Sequence, residues 1–418
     1  MPPSTALKRL IAVWPLLLGI GVLTTSNGLQ GMLLSLRAQL EGFPVEITGI
    51  IMAMYYAGFL IGCRYIPPLI SSVGHIRVFA ALASMASTTV LLHGVFINPW
   101  AWIPIRLMTG FCFSGLFIIA ESWLNKIANK SQRGTIFSAY VSIVYGGLFT
   151  GQFLVNLAPL DSMYLFILIS VMISFALAPI TLTNTRTPGY QKPANISFKE
   201  LMKISPLALS GVFTAGLCNG TMLSLGPVYA DSIGIEKSSI AIFMGIYILG
   251  NTTLPLIIGP ISDRVDRRGI ITFAGIMAIG CTAFLTYYEY SYVLIYALGG
   301  MLTSLYSVSI THMNDQIKKA QIVSASRALI LLNSAGSMIG PIVAGILLAH
   351  WGAFSFFSTM CLYLTTLLAI TIYRAVVGDE IERKHTFAHI PSMTAPAIMR
   401  LKTKQAPKPS TKNKEKSE

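Results

Sequence analysis

Residues 27–36 read Asn-Gly-Leu-Gln-Gly-Met-Leu-Leu-Ser-Leu, and residues 219–225 read Asn-Gly-Thr-Met-Leu-Ser-Leu. The two asparagines, Asn27 and Asn219, lie 192 residues apart, each within a long apolar run. Working outward from this pair, Met52, Tyr55 and Gly58 return as Met244, Tyr247 and Gly250 at the same offset of 192. Gly110 matches Gly299, and Gly147 and Gly151 match Gly336 and Gly340, all at an offset of 189. One such match carries little, because Gly, Met and Leu are common here. Ordered matches across four pairs of apolar runs point to an internal duplication.

The chain has 418 residues, of which 54% are hydrophobic and 11% charged. Soluble domains carry about 25% charged residues. Together with a mean hydropathy of +0.66, this excludes an ordinary soluble enzyme, a disordered chain and a disulfide scaffold. Crossing about 30 Å of hydrocarbon takes about 20 helical residues. Twelve runs qualify: 10–36, 47–70, 78–97, 100–125, 133–158, 162–183, 205–231, 239–261, 270–288, 291–314, 322–349 and 352–375. Barrel strands are about 10 residues long and alternate, so these runs read as helices. The first is too long for a signal peptide and lacks a small-residue cleavage site. The predicted fold is an all-α integral membrane protein, with 12 transmembrane helices in two parallel six-helix repeats. The predicted organisation is a first half, 1–183, a polar connecting loop, 184–204, a second half, 205–375, and a basic tail, 376–418, without a fold of its own.

The net charge of +14 is unevenly placed. Before the tail, the N-terminus and the even-numbered connections hold sixteen Lys and Arg, whereas the odd-numbered connections hold only Arg37 and Lys237. The positive-inside rule then puts both termini in the cytoplasm and the chain in the inner (plasma) membrane. Nucleic acid is not needed to explain the charge. The five cysteines all fall inside apolar runs, where they read as packing residues, and the six histidines show no metal-ligand spacing. No phosphate-binding glycine loop and no nucleophile elbow is present, so neither catalysis, cofactor nor metal is expected.

Parallel six-helix repeats suit a secondary transporter, whose substrate site lies near mid-membrane between the halves. At Gly259-Pro-Ile-Ser-Asp263-Arg264-Val-Asp-Arg267-Arg268 the sequence resembles the loop signature of the major facilitator superfamily. The resemblance covers about residues 10–375. Within that superfamily, Glu121, Arg133-Gly134, Ala139-Tyr140, Tyr145, Gly147 and Gly151-Gln152 are similar to the bacterial YcaD-like branch. The resemblance implies secondary active or facilitative transport of a small organic solute by rocker-switch alternation. Multidrug efflux by proton antiport is the alternative, and a non-transporting sensor or scaffold is the alternative of another class. Expected partners are a small-molecule substrate, the bilayer and, for active transport, a coupling proton or other ion. One chain holds both halves, so a monomer suffices.

An arginine at mid-bilayer costs about 2.5–3.5 kcal/mol or more, so Arg106 should face a cavity or a partner. It is a candidate for binding an anionic or carboxylate-bearing solute such as an organic acid or siderophore. Thr24, Asn27, Gly28, Gly31 and Ser35 share one helix face, either a packing stripe of small residues or a cavity wall with Asn27 and the flanking Gln30 facing substrate. Asn219 carries the same two readings, and Gln152 is a further candidate. The resemblance implies a cytoplasmic latch at Gly259, Asp263, Arg264, Arg267 and Arg268. The matching loop of the first half has Ser71 in place of the aspartate and retains Gly74 and Arg77. Arg64 is then the substitute cation, Glu121 its expected partner, and Asp315 the residue matching Glu121 at an offset of 194. No carboxylate lies deep in any run, and Arg327 is expected to snorkel to the interface.

Overall fold

The computed structural model describes residues 5–127, 133–181, 197–288, 290–318 and 321–377. The tail and most of the connecting loop fall outside these residues. The first six long helices are α1 (Thr5–Leu40), α2 (Val45–Val73), α3 (His75–Val95), α4 (Pro99–Ile127), α5 (Arg133–Leu154), which runs into a 3-10 turn (Val155–Leu157), and α6 (Tyr164–Thr181). A short helix follows, α7 (Phe198–Ile204). The second six are α8 (Pro206–Ser232), α9 (Lys237–Ser262), α10 (Arg267–Tyr288), α11 (Tyr292–Gln316), α12 (Ile322–Trp351) and α13 (Phe354–Val377). Their bounds follow the twelve apolar runs to within a few residues. Ten of the twelve carry a stretch long and apolar enough to cross a membrane, and the other two have described apolar segments at Tyr164–Ala178 and Phe354–Ile370. The short α7 lies in a stretch read as loop. A capping box starts it, with Ser197 accepting from the Glu200 amide and Glu200 accepting from the Ser197 amide.

The packing repeats as the sequence does. α1 lies against α5 and α6, α2 against α4, and α3 against α4 and α6. α8 lies against α12 and α13, α9 against α11, and α10 against α11 and α13. Without a hydrophobic drive between helices in lipid, close approach depends on small residues at the crossings, and glycines supply it at equivalent places. A Cβ on Gly58 would strike the Leu107 carbonyl, and one on Gly250 the Tyr296 carbonyl. Gly28 abuts Leu148 as Gly220 abuts Ser337, and Gly147 abuts Gly21 as Gly336 abuts Phe213. The turns repeat too, since Gly42 and Gly234 both take positive φ, 67° and 79°, where an L side chain would be strained.

The second set of contacts joins the two groups of helices: α2 with α12, its repeat image α5 with α9, and α1 with α8. One end of the bundle carries the basic loops, and the other is called the far end below. At the far end the two groups meet closely. A Cβ on Gly49 would strike the Pro341 carbonyl, Gly245 faces the Phe149 and Phe153 rings, and Lys237 Nζ donates to the Ala158 carbonyl at 2.8 Å.

Candidate functional site

Between α2, α8 and α12 lies a pocket, lined by Tyr55, Tyr56 and Phe59, by Asn219 and Leu223, and by Asn333, Ser334 and Ser337. Behind Tyr55 sits Arg106, 4% exposed, with its guanidinium 4.7 Å from the centre of the Tyr55 ring. A desolvated arginine over an aromatic face gains about 2 kcal/mol. Its Nε and Nη1 are buried and donate to no group among the described residues. Gln30 is fully buried, and both its amide nitrogen and its amide oxygen lack hydrogen-bond partners among the described residues. By helix rise, Gln30 and Tyr55 lie about 15 Å from the far ends of α1 and α2, and Arg106 about 10 Å from that of α4. The three therefore lie within about one helical turn of the same depth.

The other sequence candidates divide between cavity and packing. Asn27 is buried and faces the Tyr55 hydroxyl. Its repeat mate Asn219 accepts a bond from Tyr247 and donates to the Ala215 carbonyl at 3.0 Å, so the Asn–Tyr pair occurs once in each half. Gln152 Nε2 donates to the carbonyls of Gly28 at 3.2 Å and Leu148 at 3.1 Å, which ties α5 to α1. The α1 stripe splits along its length. Thr24 and Gly28 pack on α5, a Cβ on Gly31 would meet open space, and the Ser35 hydroxyl crosses to the Ser224 carbonyl of α8 at 2.8 Å. Tyr56, Ser334 and Ser337 were not singled out in the sequence. The only signal for the two serines was a run of small polar residues in α12.

At the basic end, the superfamily-like loop folds into a charge triad. Arg267 is 5% exposed on its side chain and bonds both Asp263, at 3.0 Å, and Asp315. It also donates to the Thr311 carbonyl at 3.3 Å. The triad joins the ends of α9, α10 and α11, three helices of the same half. Removing one member of such a buried pair strands the other charge, at about 3–5 kcal/mol. Gly259 accepts the Ser262 hydroxyl at 2.7 Å, Arg264 is exposed and Arg268 half-buried.

The first half is wired differently. Gly74 has φ of 97° and lets α2 turn directly into α3. His75 stands 192 residues before Arg267 and bonds Ser122 at 3.1 Å, just as Arg267 bonds Thr311, 189 residues beyond Ser122. Its ring stacks on Trp123, with centroids 6.1 Å apart. Arg64 and Arg77 are exposed, and among the described residues neither forms an ion pair. The expected Arg64–Glu121 pair is therefore not formed, because Arg64 points away. The helix register of 189 also matches Asp315 with Lys126 rather than with Glu121.

Glu121 is fully buried, six residues inside the end of α4, and accepts the Tyr140 hydroxyl at 2.9 Å. It is thus an embedded acid, where the sequence suggested none. Nor does Arg327 snorkel. Its Nη2 reaches across the boundary between the halves to the Cys63 carbonyl of α2, at 3.4 Å. The five cysteines are free thiols.

The model of the Major Facilitator Superfamily matches residues 16–329 and 207–407. The MFS-type transporter YcaD of Escherichia fergusonii is 25% identical over 339 residues, covering 80% of this chain and 88% of its own. Among solved structures, a mutant of the nucleoside transporter NupG superposes with a TM-score of 0.73 at 15% identity, covering 86% of this chain and 99% of its own. A bacterial homologue of the human lysosomal transporter Spinster, inward-facing and occupied, superposes with a TM-score of 0.67 at 11% identity, covering 87% and 96%. A duplicated bundle of long apolar helices, the charged loop after α9 and these matches have one reading: the chain belongs to the major facilitator superfamily and is a multi-pass membrane transporter.

Proposed function

We propose that this transporter moves a small organic solute with an anionic group by alternating access, with residues 1–183 and 205–375 rocking about the α2–α12 and α5–α9 contacts. The basic end and both termini face the cytoplasm, as the positive-inside rule asks. The observation that carries the substrate class is Arg106. It is buried within about one helical turn of the depth of Gln30 and Tyr55, one ring away from the pocket between the halves, with two guanidinium nitrogens that donate to no group among the described residues. A guanidinium bonds carboxylate or phosphate oxygens in pairs, and a solute that displaces Tyr55 from its face would supply them. Asn27 and Asn219 flank the pathway from the two repeats, while Gln152 acts on it only through the α1–α5 packing. The triad of Asp263, Arg267 and Asp315, with Gly259, Arg264 and Arg268 around it, braces the basic end of the second half. In the first half the matching place is held by the turn at Gly74 and by His75 on Ser122, with Glu121 bonded to Tyr140 and Arg64 and Arg77 exposed.

Purified protein in liposomes, screened with a broad panel of radiolabelled metabolites, is the direct test. Accumulation of an organic anion that Arg106→Ala abolishes, while a neutral analogue is less affected, supports the reading. Equal losses for anion and neutral analogue refute the charge argument, and no movement of any solute refutes transport of this class.

A further inference from the structure

The two walls of the pocket between α2, α8 and α12 differ in chemistry. On the first-half side stand the rings of Tyr55, Tyr56 and Phe59, with Tyr55 and Tyr56 edge to face at 5.5 Å between centroids. On the second-half side stand Asn219, Asn333, Ser334 and Ser337. What these four can offer a solute follows from the bonds they already make. The Ser334 hydroxyl donates to the Ile330 carbonyl at 3.0 Å, and the Ser337 hydroxyl to the Gly216 carbonyl at 3.2 Å. A serine has one hydrogen to give, so each keeps only lone pairs. Asn333 gives one amide hydrogen to the Val212 carbonyl at 3.1 Å and keeps the other, and no donor among the described residues reaches its Oδ1. Asn219 gives one amide hydrogen to Ala215, accepts from Tyr247 and keeps its second hydrogen. The wall therefore holds three acceptors and two donors, on side chains at most 5% exposed. At an offset of 189, Asn333, Ser334 and Ser337 meet Val144, Tyr145 and Leu148. The equivalent crossing of α5 on α1 closes with those residues, so close packing does not by itself call for polar ones.

A buried polar atom left unpaired is costly, so the solute must match this wall. An ammonium group only donates, and no acidic residue lines the pocket to balance its charge. A carboxylate only accepts and would face three oxygens. A hydroxyl both donates and accepts. We propose that the solute is a polyhydroxylated organic anion of the sugar-acid class, with its carboxylate on Arg106, the C–H face of its carbon skeleton on Tyr56 and Phe59, and its hydroxyls on Asn219, Asn333, Ser334 and Ser337. The proposal rests on the anion reading above and adds the second half's share of recognition: Arg106 selects for charge, and the α8–α12 wall selects for hydroxyls.

The test is isothermal titration of the full-length transporter in detergent with three sugar acids, D-glucuronate, D-galacturonate and D-gluconate. Two controls accompany them: cyclohexanecarboxylate, a carboxylated six-membered ring without hydroxyls, and D-glucose, which has hydroxyls without the charge. At least one sugar acid is expected to bind about a hundredfold or more tighter than either control, because a site built to bond hydroxyls rejects the analogue that lacks them. Ser334→Ala is expected to weaken the sugar acid about tenfold and leave cyclohexanecarboxylate unchanged, and Ser334→Thr to retain the affinity. The Ser334 bond stays within α12, so its loss opens no helix crossing. Cyclohexanecarboxylate binding as tightly as the sugar acids, equal weakening of both by Ser334→Ala, or no binding of any sugar acid overturns the proposal. If Arg106→Ala still abolishes binding or movement of an organic anion, the anion reading stands without it. D-glucose binding as tightly as the sugar acids overturns both.

Discussion

Gly28→Ala and Gly31→Ala differ by three positions on one helix and should differ sharply in effect. At Gly28 the added methyl would lie 2.7 Å from the Leu148 carbonyl oxygen and 3.1 Å from the Leu148 Cα. Ordinary contact begins near 3.4 Å, so α1 and α5 must separate by about 0.7 Å, against rigid backbone that no rotamer change can move. The same shift lengthens the Gln152 bond to the Gly28 carbonyl, now 3.2 Å. Overpacking of this kind costs about 1–3 kcal/mol. For a cooperative unit the size of one half, that lowers the melting temperature by roughly 2–4 °C per kcal/mol. At Gly31 the methyl meets nothing within 4 Å, and helix propensity favours alanine by about 1 kcal/mol. The assay is intrinsic-fluorescence melting in detergent, with size-exclusion profiles as a check on dispersity. Equal melting of the two variants would refute the helix-crossing argument. So would a loss at Gly31 with none at Gly28.

Arg267→Gln should destabilise by about 3–5 kcal/mol because it breaks the buried ion pair with Asp315; the double variant with Asp315→Asn should recover most of that loss in the same melting assay, and failure to recover would mean the two residues act separately. Arg106→Lys, which retains charge but not the paired donors, should bind the anionic solute at least about tenfold more weakly, the equivalent of 1.4 kcal/mol, in isothermal titration; undiminished affinity would show that pairing is not used. Gly345→Trp should wedge α12 from α2 at the far end, where a Cβ already lies 3.1 Å from the Val45 carbonyl. It should raise the labelling rate of a cysteine introduced at Glu46 by a membrane-impermeant thiol reagent, and an unchanged rate would place the closure elsewhere.

The duplication was legible because helix crossings in a bilayer select for glycine at fixed registers. Gly58 and Gly250, or Gly147 and Gly336, are conspicuous in a sequence for the reason they are close in space. Arg106 was legible because its cost in an apolar run demands an explanation. The errors came where direction matters more than type. Arg64 and Glu121 were matched by depth along their helices, yet Arg64 points away and Glu121 points into the bundle. Gln152 and Asn219 are both buried amides, and nothing in their neighbours along the chain distinguishes one that closes a helix crossing from one that borders a pocket. Glu121 was judged shallow by its distance from the end of the apolar run. Burial in a multi-helix bundle depends on which neighbours surround a residue as well as on how far it lies from the interface.

The departures from the repeat are where the two halves divide their labour. Arg106 at an offset of 189 meets Ile295, so the buried cation beside the pocket exists in the first half only. Arg267 at an offset of 192 meets His75, and Asp263 meets Ser71, so the permanent charge triad exists in the second half only. The second half is braced at its basic end by the two ion pairs of Arg267. The first half instead sets its buried polar groups against aromatic residues: Arg106 over Tyr55, Glu121 on the Tyr140 hydroxyl, and His75 on Trp123. On this chain the ion-paired basic end belongs to the second half, and the buried Arg106 and Glu121 belong to the first.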